Sequence, residues 1–358
     1  MSMSFKILTL NDSEEWNNLL AKLPAEQQDI YYTPEYYSLY ENYGDGKAMC
    51  FVFEKDGGIA LYPFLINSVN ALGYDLDKEY FDIQGAYGYN GVVSSSYEPN
   101  FIKEFYNEFN SFCADNNIIA EFTRFNPLVN NIDFSKEFLN YIYDRSTVTA
   151  EVRGYDSNNY MQIIYTKQGR KDVRKALKQD LIISEGLDEN DYIDFYNIYI
   201  KRMKEIESAS YYQFNTTFFR NIFKFLGEKQ KLFLVRNEHN VVVGGIIYIF
   251  NGLFAHNFLS ASKAEYFKYN INDLLQDMVI VDCLRNKSTK INLGGGNTYK
   301  DDDRLLQFKQ KFSSAKGAFY IGKKIHNQKI YNEVVRQWET RFPEKVNKLN
   351  NILLKYRY

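Results

Sequence analysis

The strongest constraint on the fold is a pattern that occurs twice. A β-hairpin signal, a long amphipathic helix and a short buried strand follow one another in each half, about 180 residues apart. In the first half, residues 49–53 and 59–66 read as strands flanking Asp56-Gly57-Gly58, a turn sequence suited to a hairpin. A helix over 98–116 then places Phe101, Ile102, Phe105, Phe109 and Phe112 on one face, and 118–124 reads as a strand. In the second half, 231–236 and 241–250 flank Glu238-His239-Asn240, and 253–260 adds a third strand. Ile271, Leu274, Leu275, Met278 and Val281 recur at helical spacing, and strand 290–293 follows. The halves share no visible sequence identity, so the repeat lies in the pattern. It implies an α/β chain with mixed (α+β) sheets and two domains, 1–155 and 156–358, the second including the terminal helices.

The remaining elements fill in around this plan. Residues 5–8 and 147–152 read as strands, 13–23 as a helix capped by Ser13, and Pro34 opens a helix through 43. The second half opens with a strand over 161–165, a helix over 168–179 and a strand over 181–184. Helices over 192–205 and 217–226 follow, and from 327 onward the chain is helical with a break near Pro343. No linker separates the halves, so they are expected to share an interface. Two domains suit 358 residues, and 25% charged with 45% hydrophobic residues is ordinary for a globular protein. The net charge of −2 argues against a DNA-binding polycation. Cys50, Cys113 and Cys283 are scattered, with neither disulfide nor metal spacing. With no signal-peptide core and no run of about 18 apolar residues, the expectation is a cytoplasmic chain without a membrane span, monomeric or homodimeric.

Three stretches could carry chemistry. Leu293-Gly294-Gly295-Gly296-Asn297-Thr298-Tyr299 joins a strand to a helix carrying Leu305, Phe308 and Phe312. A turn without side chains admits a ligand to the backbone and presents N–H groups at a helix start, or else serves close packing. No Gly-Lys-Ser/Thr follows, which argues against a P-loop. Next, Lys167, Arg170, Lys171, Arg174, Lys175 and Lys178 fall within an arc of roughly 140° on one helix. Such a face suits a diphosphate or a tRNA backbone, although most charge runs are simply solvated. Finally, His256 lies on an aromatic strand and could act as a general base, against the commoner role of a structural histidine. Asp301-Asp302-Asp303 is expected to serve the helix start rather than a metal. Asp82, Arg124 and Asn126 sit at strand ends and could line a cleft.

These residues resemble the FemAB-like branch of the GNAT acyltransferase superfamily. The resemblance rests on Gly169-Arg170-Lys171-Asp172-Val173-Arg174-Lys175-Ala176, Val243-Gly244-Gly245-Ile246, Phe258-Leu259-Ser260-Ala261-Ser262, and Leu293-Gly294-Gly295-Gly296 with Leu305-Leu306-Gln307-Phe308-Lys309-Gln310-Lys311-Phe312. Tyr87-Gly88-Tyr89-Asn90-Gly91 looks like the aromatic-glycine loop of the family's first domain. The resemblance implies two tandem GNAT-like domains with a cleft between them and a C-terminal helical extension. It further implies N-acyl transfer, acyl or aminoacyl, to an amine on a sugar- or peptide-containing cell-envelope precursor.

By motif position, Arg170, Lys171 and Arg174 would grip the acceptor's phosphates, with Tyr89, Arg124, Ser260, Gly294, Gly295 and Gly296 as further substrate contacts. Lys309 would stabilise charge on the tetrahedral intermediate, with His256 as a second catalytic candidate. No resident cofactor or metal is implied. The co-substrate would be acyl-CoA or aminoacyl-tRNA, the latter making tRNA a partner, and the acceptor a small molecule or a nucleotide- or lipid-linked peptide. Two departures bear on the donor. Residues 188–226 lack the heptads of the family's coiled-coil arm, and the loop Ser262 to Asn270 lacks the glycines of acetyl-CoA-binding loops. The missing arm and the net charge tilt the expectation towards a small donor, while the glycine-free loop counts against acetyl-CoA. The alternative reading is a non-catalytic GNAT-like module that binds an anionic saccharide or nucleotide.

Overall fold

The computed structural model describes residues 5–156, 158–286 and 288–358. In chain order the strands are β1 (Phe5–Leu8), β2 (Lys47–Lys55), β3 (Gly58–Ser68), β4 (Phe81–Gln84), β5 (Val93–Ser94), β6 (Ile118–Arg124), β7 (Asn140–Glu151), β8 (Ile182–Glu185), β9 (Gln230–Arg236), β10 (Val242–Asn251), β11 (Phe254–Ser262), β12 (Lys290–Gly295) and β13 (Lys316–Ile325). The helices are α1 (Ser13–Ala21), α2 (Pro34–Tyr43), α3 (Pro99–Asp115), α4 (Tyr160–Ile164), α5 (Lys167–Ala176), α6 (Glu189–Glu205), α7 (Thr216–Leu226), α8 (Ile271–Arg285), α9 (Arg304–Gln310), α10 (Gln328–Arg341) and α11 (Val346–Leu349). They form two compact units. Unit 1 runs to Asp144 and resumes at Phe319–Tyr358, and unit 2 is Arg145–Ala318.

In unit 1 the strand order is β1-β2-β3-β4-β6-β13. Neighbours are antiparallel except β4 and β6, which run parallel. A parallel pair needs a crossover, and α3 lies in it. Its Phe105, Phe109 and Phe112 pack against Phe51, Phe53, Tyr62 and Phe64 of β2 and β3, with Phe51 and Phe109 rings 5.2 Å apart. Each fully buried ring of this kind contributes about 1.5–3 kcal/mol. Unit 2 repeats the plan in the order β7-β12-β11-β10-β9-β8, with β11 and β12 parallel and α8 in the crossover. The expected repeat of hairpin, long helix and strand is thus present in both units.

Three details differ from expectation. The terminal helices belong to unit 1, not to the second domain. Strand β13, not anticipated from the sequence, pairs Ile321–Ile325 with β6 and so delivers α10 to unit 1. There Val334 and Trp338 join Ile119 and the C-terminal Leu353, Leu354 and Tyr356 in one cluster. The boundary near 155 likewise falls within unit 2, because β7 carries the chain across at Asp144–Arg145. Third, residues expected as a strand over 161–165 form the short helix α4. Its geometry brings the hydroxyls of Tyr160 and Tyr165 together on Asp277 Oδ1, at 2.9 and 2.8 Å.

Unit 1 also buries an ion pair. Arg357 Nε donates to both oxygens of Asp82, at 3.0 and 2.8 Å, and Asp82 is fully buried. Burial raises the Asp82 pKa, and the guanidinium opposes that shift. Arg357→Met strands this carboxylate, and we expect a loss of about 3–5 kcal/mol in unfolding free energy. Urea denaturation of the variant checks this value.

Candidate active site

In unit 2 the parallel strands β11 and β12 stay paired for only three residues, ending with His256 opposite Asn292. Strand β12 stays paired with β7 from Lys290 to Gly295, with an irregularity between Asn292 and Gly294. Strand β11 continues with β10 as far as Ser262. Among the described residues, the pairing of β11 with β12 thus ends at His256 while β11 runs on beside β10 to Ser262. Strands that part inside a sheet offer backbone hydrogen-bonding groups to a ligand. The matching point in unit 1 is occupied. After Gln84, paired with Phe122, the chain returns at Asn90, which forms a parallel bridge with Phe125. Asn90 N donates to Arg124 O and Arg124 N to Asn90 Oδ1, both at 2.7 Å.

Residues on either face of β11 and β12 meet different neighbours. Ala255, Ile291 and Leu293 cluster with α5, α8 and with Leu306 of α9. His256 has the opposite parity and shares its face with Phe258, whose ring meets Phe218 of α7. His256 is buried. Ser260, which the irregularity after Asn257 puts on the opposite face, is exposed beyond the point where the strands part.

The glycine turn is shaped by side chains that pack onto it. Lys309 Nζ donates to Gly295 O at 2.8 Å, and Arg145 Nη1 donates to Gly296 O at 3.0 Å and Asn297 O at 3.2 Å. A Cβ on Gly294 would come 2.8 Å from Lys309 Nζ, and its φ of +83° also disfavours any other residue. A Cβ on Gly295 would meet the Arg145 side chain, and one on Gly296 that of Asp303. Asp303 accepts from Leu305 N and Leu306 N, so these donors of α9 are already engaged within the protein. The glycines thus serve close approach by two cations. Sequence reasoning missed Arg145, which stands 151 positions before Gly296 and carries no local signal.

Lys309 is half-buried as a residue, while loss of solvation around its ammonium pushes its pKa down to about 8. The negative charge of Asp303 opposes that shift. Among the described residues Gly295 O is the only hydrogen-bond partner of the ammonium. Its remaining N–H groups can serve a substrate.

Helix α5 turns its basic face outward. Thr166 caps it, and Gly169, Val173 and Ala176 are buried. Lys171 and Arg174 are exposed and have no hydrogen-bond or ion-pair partner within the protein among the described residues. Arg170 is half-buried and donates to Tyr165 O at 2.5 Å. Asp172 does not neutralise this face: it bonds Lys311 Nζ at 2.8 Å, and Lys311 also reaches Asp273 at 2.9 Å. Asp172 is consequently lowered in pKa against the cost of burial, whereas the more deeply buried Asp273, repelled by Asp172, is raised. Tyr89 and Arg124 belong to unit 1. The Tyr89 ring lies 5.1 Å from Tyr31 and 5.5 Å from Phe319, and the Arg124 guanidinium lies 5.1 Å from the Phe122 ring centre. Among the described residues no group of three or more His, Cys, Asp or Glu could hold a metal ion, and no helix could cross a membrane.

The strands that part, the glycine turn and α9 fall within one matched stretch. Residues 227–323 match the FemAB family. This likeness to the FemAB family covers that stretch and not the whole chain. FemX has this tandem fold at 14% identity and a TM-score of 0.68, over 92% of this chain and 99% of that one. The C-terminal domain of a putative lysylphosphatidylglycerol synthetase from Agrobacterium fabrum is similar at 10% identity and a TM-score of 0.55, over 89% and 93% of the two chains. L-PGS from Bacillus licheniformis is similar at 10% identity and 0.54, over 84% and 94%. No curated protein matches the sequence.

Gly169 tests how α5 is seated. A Cβ there would stand 2.4 Å from the Lys311 carbonyl oxygen, a backbone atom that cannot step aside. Alanine gains up to about 1 kcal/mol in helix propensity over glycine, while such an overlap costs about 1–3 kcal/mol. Gly169→Ala is therefore expected to lower stability despite being helix-favouring, as read by chemical denaturation.

Proposed function

We propose that this chain transfers an aminoacyl group from aminoacyl-tRNA to an amine of a sugar- or peptide-containing cell-envelope precursor. The reaction centre of this proposal lies in unit 2, beside Lys309. The observation that carries it is the Lys309 ammonium, enclosed at the glycine turn with N–H groups to spare and held in place by Gly295 O.

The acceptor amine attacks the donor's ester carbonyl, a C–N bond forms, and negative charge gathers on the carbonyl oxygen. An ammonium preorganised beside that oxygen stabilises the tetrahedral intermediate. Collapse breaks the C–O bond, and the proton lost by the attacking amine passes to the departing oxygen, which leaves as the tRNA hydroxyl. The place where β11 and β12 part is suited to bind an extended substrate through its backbone.

Two features favour tRNA over the small donor towards which the sequence tilts. The loop after β11 is filled by a six-residue 3-10 helix, Ala264–Tyr269, in which the Tyr266 and Tyr269 rings meet at 5.8 Å. It has no glycine-built cradle for the phosphates of CoA. Meanwhile Lys171 and Arg174 remain available to a phosphate backbone. Synthetase and Fem-type relatives share the fold, which agrees with aminoacyl transfer.

Transfer from labelled aminoacyl-tRNA to a nucleotide-linked muropeptide tests the proposal. Lys309→Ala is expected to reduce turnover by ~100–1,000-fold, the size expected on losing one oxyanion donor, without loss of folded protein. The wild-type rate should fall as pH rises through about 8, because the neutral amine cannot supply the charge. A rate that climbs through the same range would make Lys309 a base instead. Lys171→Gln and Arg174→Gln together should weaken tRNA binding and flatten its salt dependence.

A further inference from the structure

We infer that a groove in unit 2, between α6 and the ends of β10 and β11, binds a small zwitterion bearing one ammonium and one carboxylate, as in an amino acid or a short peptide. The inference does not depend on the transfer reaction. The groove has a volume of about 310 Å³. Its floor holds Ile198, Val242 and Ser262, all buried.

The charges around this floor fall into two sets. Arg236 is neutralised by Asp191 at 2.8 Å, and Arg202 by Glu205 at 3.1 Å while lying over the Phe267 ring. Lys201, Lys263, Asp194 and Glu265 also line the groove. None of these four has an ion-pair partner within 4.0 Å among the described residues. Two cations and two anions thus border one groove without closing on each other.

Opposite charges in contact would have little left for a ligand. Held apart, they can each engage one end of a molecule that carries both signs. A lone anion would face Asp194 and Glu265, and a lone cation would face Lys201 and Lys263. Only a ligand of mixed charge satisfies both sets, with its aliphatic part over Ile198 and Val242. Exposed charge pairs are individually weak, so affinity should be in the ~millimolar range.

The test is methyl NMR of the full chain, reading Ile198 and Val242 during titration with L-alanine and with L-alanyl-L-alanine. N-acetyl-L-alanine, which lacks the ammonium, and L-alaninamide, which lacks the carboxylate, are the controls. The expected result is a saturable shift with at least one zwitterion and at least tenfold weaker binding of both controls. Lys263→Gln and Asp194→Asn, neither of which removes an internal contact, should each weaken the zwitterion similarly. Tighter binding of the dipeptide would assign the groove to a peptide end, and tighter binding of alanine to a free amino acid. The inference is overturned by the absence of saturation up to ~50 mM, well above that range, or by binding of either control as tight as the zwitterion's.

Discussion

Unit 2 is organised around Lys311. Its ammonium bridges Asp172 of α5 and Asp273 of α8, and its carbonyl accepts from Thr166 N at 2.9 Å and Thr166 Oγ1 at 3.2 Å, at the start of α5. One residue after α9 therefore fixes three helices. Burial disfavours the charge on Lys311, but the two carboxylates outweigh it and raise its pKa. Such a bridge adds little net stability, since desolvation offsets most of the attraction, yet breaking it strands buried carboxylates. Its main effect is geometric. It sets α5, with its outward cations, against the end of the helix that carries Lys309.

The two units use one strand plan for different ends. In each, a parallel pair opens beyond a short run of register. Unit 1 fills its opening with Asn90, and Gly85 permits the return because a Cβ there would stand 2.3 Å from the Asn90 side chain. Tyr31 meets Tyr36 and Tyr89 edge-to-face around that loop, and the Tyr36 hydroxyl donates to Tyr87 O. In unit 2 β11 and β12 part at the same place, and Lys309 sits at the glycine turn that follows β12. A duplicated frame thus contains one opening filled by its own chain and one at which the proposed reaction centre lies.

Much of this frame was legible in the sequence. Periodicity located α3 and α8, and the turn tripeptides located both hairpins, because these signals are local. The outward face of α5 followed from spacing alone. Partners distant in sequence were not legible. Arg145 acts on Gly296, Arg357 on Asp82 and Lys311 on Asp172, and each depends on tertiary contacts that no window can show. The glycine turn was read as open either to a ligand or to close packing, and the groups that approach it within the protein are the side chains of Lys309, Arg145 and Asp303. Strand β13 escaped notice because its run Phe319-Tyr320-Ile321 is followed by Gly322 and two lysines. Residues 161–165 were misjudged because a short, mostly apolar run fits a strand or a helical turn equally well.

The most direct measurement is the titration of the Lys309 amine itself. In protein labelled at lysine Cε, the Lys309 signal can be assigned by its loss in Lys309→Arg and followed by NMR from pH 6 to 11. Enclosure at the glycine turn predicts a midpoint near about 8. A midpoint at the ordinary lysine value of about 10.4 would mean a solvated ammonium, and would contradict its role as a preorganised charge in the reaction.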